Sequence, residues 1–197
     1  MTRVVTYADL ATTILRRTPP IPVRLVAVDG PGGAGKSTYA ARLAAALGGV
    51  PVVHTDDFAS HDEPLHWWPL LEEGVLRPLT AGRPARYRPY DWNSRRRSAW
   101  VELPPSPVVL VEGVSSARAA ARDRLTYSVW LQTERAERLR RGLERDGPEM
   151  AGFWAGWMAE EDAFYAVDPT VDAVDLVVDG DPQQPHDPDR EFVVIRP

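Results

Sequence analysis

Val23-Arg24-Leu25-Val26-Ala27-Val28-Asp29-Gly30-Pro31-Gly32-Gly33-Ala34-Gly35-Lys36-Ser37-Thr38 is the stretch on which the fold turns. It opens with an apolar, β-branched run of strand length. Behind it come Tyr39 to Leu47, rich in good helix formers. Between the two, Gly30 to Ser37 spells G-x-x-x-x-G-K-[ST] in the strand–loop–helix setting the motif requires. The glycines let the backbone approach an anion, and its N–H groups turn inward as a phosphate cradle. The helix start adds partial positive charge, Lys36 reaches the β- and γ-phosphates, and Ser37 offers an oxygen to Mg²⁺. Gly30, Gly32, Gly33, Ala34, Gly35, Lys36, Ser37 and Thr38 are therefore expected to hold a nucleoside triphosphate.

Chance alone gives this pattern in roughly one chain in a hundred of such length, at average glycine usage. A second observation is independent of it. Of 23 basic residues, Lys36 is the only lysine. The one ammonium stands where a compact point charge is wanted.

At 197 residues, with 44% apolar and 26% charged residues, a single soluble domain over 1–197 is expected. A net charge of −5 leaves no basic footprint for nucleic acid. Zero cysteines exclude disulfides and thiolate metal sites and suit a reducing compartment. No apolar run approaches the ~18 residues of a membrane span, and no signal peptide is evident, so a cytoplasmic location and no membrane partner are expected. Nothing in the sequence indicates a homo-oligomer.

Outward from the loop, Thr6 to Arg17 reads as an amphipathic helix capped by Thr6, with Leu10, Ile14 and Leu15 inward. Pro51 to Thr55 is a short strand ending in Asp56-Asp57-Phe58. Residues 60–106 form an irregular, aromatic-rich insertion for the acceptor. Pro64 to Leu76 is a candidate helix, and Ala85–Trp92 with Ala99–Leu103 a candidate antiparallel pair. Trp67 and Trp68, with the run Tyr90-Asp91-Trp92, are either local core or a wall for a flat substrate. Pro107 to Val111 is an apolar run typical of a strand buried on both faces, and it delivers Glu112-Gly113. A short helix over Ser116–Arg124 and a strand over Tyr127–Leu131 follow. Thr133 caps an Arg-rich helix to Arg145, within a lid region at 133–150. Glu149 to Val167 is a helix with Phe153, Trp154, Trp157 and Phe164 on its apolar side. Ala173–Val178 is a further strand, and Phe192–Ile195 a last strand or packed tail.

Short strands alternating with helices imply an α/β fold: a doubly wound parallel sheet of about five strands, helices on both faces. Ligands in such sheets bind at the carboxyl ends of the strands. The phosphate loop, Asp56 and Glu112 all stand there. Phosphoryl transfer needs charge neutralisation, a metal and a group that takes the acceptor's proton. Glu112 is placed to hold Mg²⁺ with Ser37, or else to cap the next helix. Asp56 and Asp57 are placed for the base, and one of them for a turn. The helix Thr133–Asp146 is either a solvated Glu/Arg surface or a lid that brings Arg141 or Arg145 over the transferring phosphate.

These residues resemble the uridine kinase family of P-loop nucleoside kinases over roughly Val23 to Asp179. Asp56-Asp57-Phe58 is similar to the family's Asp-Ser-Phe, which gives the general base to Asp56. Asp62-Glu63-Pro64 is similar to an Asp-His-Pro element and implies that Asp62 holds ribose hydroxyls. Pro89-Tyr90-Asp91-Trp92 looks like the Tyr-Asp-Phe element that lines the nucleoside pocket. Val111-Glu112-Gly113 matches the strand-end Glu-Gly, and Arg138 to Asp146 the lid pattern. Three positions depart from it. Arg95 stands where the family's pyrimidine-reading His is expected, Gly142 replaces the second lid arginine, and the later Arg-Gly-Arg segment is missing. The resemblance implies an ATP- and Mg²⁺-dependent kinase acting on a small-molecule hydroxyl, a nucleoside being favoured. Arg95, and a segment leading to Asp62 that is much shorter here than in the family, favour instead a vitamin precursor, sugar, glycerate or antibiotic hydroxyl. A reading of another class is a nucleotide-binding regulatory NTPase.

Overall fold

A computed structural model describes residues 2–63, 65–103 and 106–197. In chain order it contains β1 (Arg3–Thr6), α1 (Tyr7–Arg16), β2 (Arg24–Asp29), α2 (Lys36–Ala46) and β3 (Val52–His54). The insertion holds α3 (Trp68–Leu71), a π turn (Glu72–Leu76), α4 (Arg77–Thr80) and four short strands, β4 (Ala85–Tyr87), β5 (Tyr90–Asp91), β6 (Arg96–Arg97) and β7 (Val101–Leu103). Then follow β8 (Val108–Glu112), β9 (Leu125–Gln132), α5 (Arg135–Asp146), α6 (Ala151–Val167), α7 (Thr170–Ala173), β10 (Leu176–Asp179) and β11 (Glu191–Arg196).

The main sheet has seven strands in the order β1-β11-β10-β9-β2-β8-β3. The five from β10 to β3 are parallel, as the alternating pattern implied. The sheet is larger than that core, because β11 runs antiparallel to both β10 and β1. Arg3–Thr6 is too short and too mixed to read as a strand by itself, and it pairs only with the far end of the chain.

Alternation sorts the side chains. Val26, Val28, Val108 and Leu110 face one core with α1 and α2; Leu25, Val109 and Val111 face the other with the insertion. Burial on both faces is why these strands read as unbroken apolar runs. Thr6 caps α1, its hydroxyl accepting from the Asp9 N–H at 3.0 Å. Leu10 and Ile14 are buried, whereas Leu15 is exposed.

The insertion departs from its expected bounds. The helix starts at Trp68 and reaches Thr80 through the π turn, and Pro64, where it was expected to begin, lies outside the described residues. β4 pairs with β7 and β5 with β6, both antiparallel. Ser116–Arg124 forms a 3₁₀ segment over Ala119–Arg124 rather than an α-helix. Thr133 does not cap α5, whose N-cap is Glu134; the Thr133 hydroxyl donates instead to the carbonyl of Ala34 in the phosphate loop at 3.3 Å. On α6 the buried face carries Trp154, Met158 and Glu161, while Phe153 is 40% exposed.

No helix among the described residues is long and apolar enough to cross a membrane.

Candidate active site

The carboxyl ends of β2, β3 and β8 converge. From β2 the chain turns through Gly30–Gly35 into α2, so the loop residues wrap the N-terminus of that helix. Asp29 anchors the turn. Fully buried, it accepts from the backbone N–H groups of Gly30, Ser115 and Ala117 at 2.6, 2.8 and 2.7 Å, and from the Tyr165 hydroxyl at 2.8 Å. Burial pushes its carboxyl up, and those hydrogen bonds oppose the push. One side chain thus ties the phosphate loop to the segment after β8 and to α6.

Lys36 is buried, and its ammonium donates to the Pro31 carbonyl at 2.9 Å, spanning the loop. The Ser37 hydroxyl donates to Glu112 Oε1 at 3.0 Å. His54 Nδ1 meets the same oxygen at 2.5 Å. Burial pushes the Glu112 carboxyl up, but the His54 hydrogen bond, the Lys36 charge and the Ser37 hydrogen bond outweigh it and hold it below the usual range. The hydrogen bond to Glu112 raises His54 in return. The strand ends come this close because residue 113 is glycine: at φ 134°, a Cβ there would lie 1.9 Å from the Thr55 hydroxyl oxygen.

Asp56 and Asp57 follow β3 in a single 3₁₀ turn. Asp57 Oδ2 accepts from the Tyr87 hydroxyl at 3.1 Å, and its carbonyl accepts from Arg97 at 2.6 Å. The Asp56 carboxyl has no hydrogen-bond partner among the described residues. Solvent reaches Asp56, yet protein crowds its carboxyl. Desolvation raises it, Glu112 adds to the rise, and Lys36, His54 and Arg145 pull against it.

One aromatic ring contacts Asp56, and others gather around that ring. Trp92 donates its indole N–H to the Asp56 carbonyl at 3.3 Å. His61 lies 4.9 Å and Tyr90 5.2 Å from the Trp92 ring, and Trp157 of α6 lies 6.4 Å away, nearly perpendicular. Tyr90 also hydrogen-bonds His61 at 3.0 Å.

Other expected residues are not in this group. Trp67 is 2% exposed and packs in the core on the insertion side, with Trp68 half-buried against it and the Arg118 guanidinium over both rings. They are core, because the π turn and α4 fold the insertion down onto the sheet. Asp62 is exposed on its loop. Arg95 is exposed at the β5–β6 turn with a left-handed φ of 55°.

The lid arginines divide. Arg141 is held by Glu137, by the Gly180 carbonyl at 3.0 Å and by Asp181 at 2.6 Å, so it borders a cavity of about 300 Å³ that Gly35, Thr38 and Asp179 also line. It does not lie over Asp56. Arg145 pairs with Asp146 at 2.7 Å and is otherwise largely exposed, near enough for its charge to act on Asp56. Gly142 has a packing reason, since a Cβ there would lie 2.3 Å from the Trp154 ring. A larger cavity of about 480 Å³ lies behind Tyr87 and Arg97 and includes no phosphate-loop residue.

His54, Asp29, Trp157 and Glu161 were not among the expected site residues, whereas Trp92 stands in the aromatic run that was. Glu161 carried a signal, an acid in phase with the apolar stripe of Trp154 and Met158. Asp29 stands inside the opening stretch, and His54 occupies a strand end beside the two aspartates.

No protein-family profile and no curated protein sequence matches the chain. Solved structures do. A possible uridine kinase from Bacillus stearothermophilus superposes with a TM-score of 0.64 at 21% identity, over 87% of this chain and 96% of that one. A proposed fructose transport system kinase from Silicibacter sp. TM1040 gives 0.63 at 26% identity, over 82% and 95%. D-glycerate 3-kinase from Cryptococcus neoformans var. grubii gives 0.53 at 13% identity, over 88% and 94%.

Proposed function

Starting from the P-loop kinase fold that the chain shares with these neighbours, we propose that it transfers the γ-phosphoryl group of ATP to a hydroxyl of a small molecule, with a nucleoside such as uridine the favoured acceptor. The observation that carries this reading is Asp56. It is a carboxylate without a hydrogen-bond partner among the described residues, at a strand end, under the influence of Lys36 and Glu112, and its backbone holds Trp92, around which His61, Tyr90 and Trp157 gather.

In this reading the acceptor oxygen bonds to the γ-phosphorus as its proton passes to Asp56, and the bond to the ADP oxygen breaks. Burial raises the affinity of Asp56 for a proton, the direction that suits a general base. Lys36 and Arg145 offset the charge that develops on the transferring group. Ser37 and Glu112 would hold Mg²⁺, which supplies further charge neutralisation on the phosphates. The donor set fits that ion: Glu112 is held ionised beside a hydroxyl, and Mg²⁺ takes few protein oxygens. No cluster of three or more metal-binding side chains occurs among the described residues. Arg141 borders the cavity where the rest of the donor nucleotide fits, next to Gly35 and Thr38. The aromatic rings favour a flat base.

A second reading keeps the chemistry and changes the acceptor to a sugar or an acid. Arg77, Arg83, Arg86, Arg88, Arg95, Arg96 and Arg97 share their stretch with one acid, Asp91. None of them forms an ion pair among the described residues. An anionic acceptor would suit that surplus, and the neighbour at 26% identity is described as a kinase of a sugar transport system.

A panel of nucleosides, sugars and hydroxy acids, read out by ATP consumption, separates the two. Turnover of uridine or cytidine supports the first. Failure of both while an acid or sugar turns over decides for the second. ATP binding with no transfer to any acceptor leaves a regulatory nucleotide-binding protein.

A further inference from the structure

Glu161 is 1% exposed, on the buried face of α6. Its Oε1 accepts the Gly32 backbone N–H at 2.7 Å and the indole N–H of Trp157; its Oε2 faces Arg138 Nη1 at 3.4 Å. Arg138 is buried as well, and its Nε finds no acceptor among the described residues. A carboxylate at such depth needs donors and a counter-charge. The phosphate loop supplies one of them.

Gly32 is the third residue of G-x-x-x-x-G-K-S, in a loop whose N–H groups form an anion cradle. It has one proton to donate, and Glu161 accepts it. The contact is close on all sides: a Cβ on Gly32 would lie 2.9 Å from Glu161 Oε1 and 3.1 Å from Trp157 Nε1. Burial pushes the Glu161 carboxyl up, and the Lys36 charge, the Gly32 and Trp157 hydrogen bonds and the Arg138 charge pull against that push.

We propose that the Glu161 carboxylate is an internal anion that competes with a donor phosphate for the phosphate loop. Binding of a triphosphate then releases Glu161, and Trp157 with it. This rests on the phosphate-loop reading above. Two anions a few ångströms apart repel strongly where water is scarce, so one N–H cannot serve both. The release is felt elsewhere. Trp157 stands edge-on to Trp92, which hydrogen-bonds the Asp56 backbone. Arrival of the donor therefore reshapes the wall beside the acceptor's base.

ATP is the probe, with binding measured by calorimetry on the intact chain. Glu161→Gln keeps an oxygen for Gly32 and removes the charge. It should bind ATP about threefold to tenfold more tightly than the wild type. Folded Glu161→Gln that binds ATP equally or more weakly overturns the proposal. Should that variant not fold, the wild-type protein decides by fluorescence. Saturating ATP should change an emission component present in the wild type and missing from Trp157→Phe. Saturation without that component also overturns it. A wild type that binds no ATP removes the phosphate-loop reading itself, a different and recognisable failure.

Discussion

The Tyr87 hydroxyl donates to Asp57 Oδ2 at 3.1 Å, and this bond distinguishes two adjacent aspartates that are otherwise alike. Asp57 is a tether between the strand end and the insertion. The Asp56 carboxyl takes no hydrogen bond from the described residues, as the proposed base requires. Asp56→Asn is expected to lower the transfer rate by about 10²–10⁴, the usual worth of a general base. Asp57→Asn should cost less than about tenfold. Single-turnover rates with an acceptor found in the panel check both, and equal losses would refute the division.

The His54–Glu112 pair predicts a pH signature. His54 is raised by its partner, so its contribution is fully present below the unfolded value of about 6.5 and fades as pH climbs through the raised one. Glu112 is lowered, so its contribution is present above the unfolded carboxylate value and fades as pH falls through the lowered one. The pair is strongest between these limits. His54 is about half exposed, so the effect is small. Melting temperatures of the wild type and His54→Asn should differ most near pH 6 and converge towards pH 9.

Gly142→Ala sets two effects against each other. Alanine favours an exposed helix interior by about 1 kcal/mol over glycine. Here its methyl would meet the Trp154 ring at 2.3 Å, and overpacking costs about 1–3 kcal/mol. The clash wins, and the variant should lose stability in guanidinium denaturation. A more stable variant would refute the packing of α6 on α5.

Trp67 and Trp92 separate core from site. Trp67→Ala should cost about 3–5 kcal/mol, as a fully buried ring does. Trp92→Phe should change stability by less than about 1.5 kcal/mol while raising the acceptor KM. Denaturation and steady-state kinetics on both variants test the assignment.

The parallel core was legible because each of its determinants is local. Glycine spacing, the lone lysine and runs such as Val108–Val111 need no distant partner to be understood. Asp56, Glu112 and the phosphate loop were legible for the same reason, since strand ends fix their place. What escaped depends on contacts between remote segments. Trp67 and Trp92 are alike in sequence, and only the descent of α3 and α4 onto the sheet buries the first in the core and leaves the second half-buried at its margin. Arg141 and Arg145 lie one helical turn apart, yet Gly180 and Asp181 claim the first. Glu161 needed the position of Gly32, far back in the chain, before its purpose could be asked.

The pairing of β1 with β11, in the register Arg3↔Val194, bears on how the molecule is made. β1 has a single neighbour in the sheet, and that neighbour, β11, is made only after every other strand of the sheet. Until then β1 offers an unpaired edge, and Tyr7 and Leu10 wait for Phe192 and Val194 to complete their side of the core. So non-local a closure slows the final step and prolongs exposure of that edge. β11 is thus a structural element, and removing it would unseat β1 and the inner face of α1 as well.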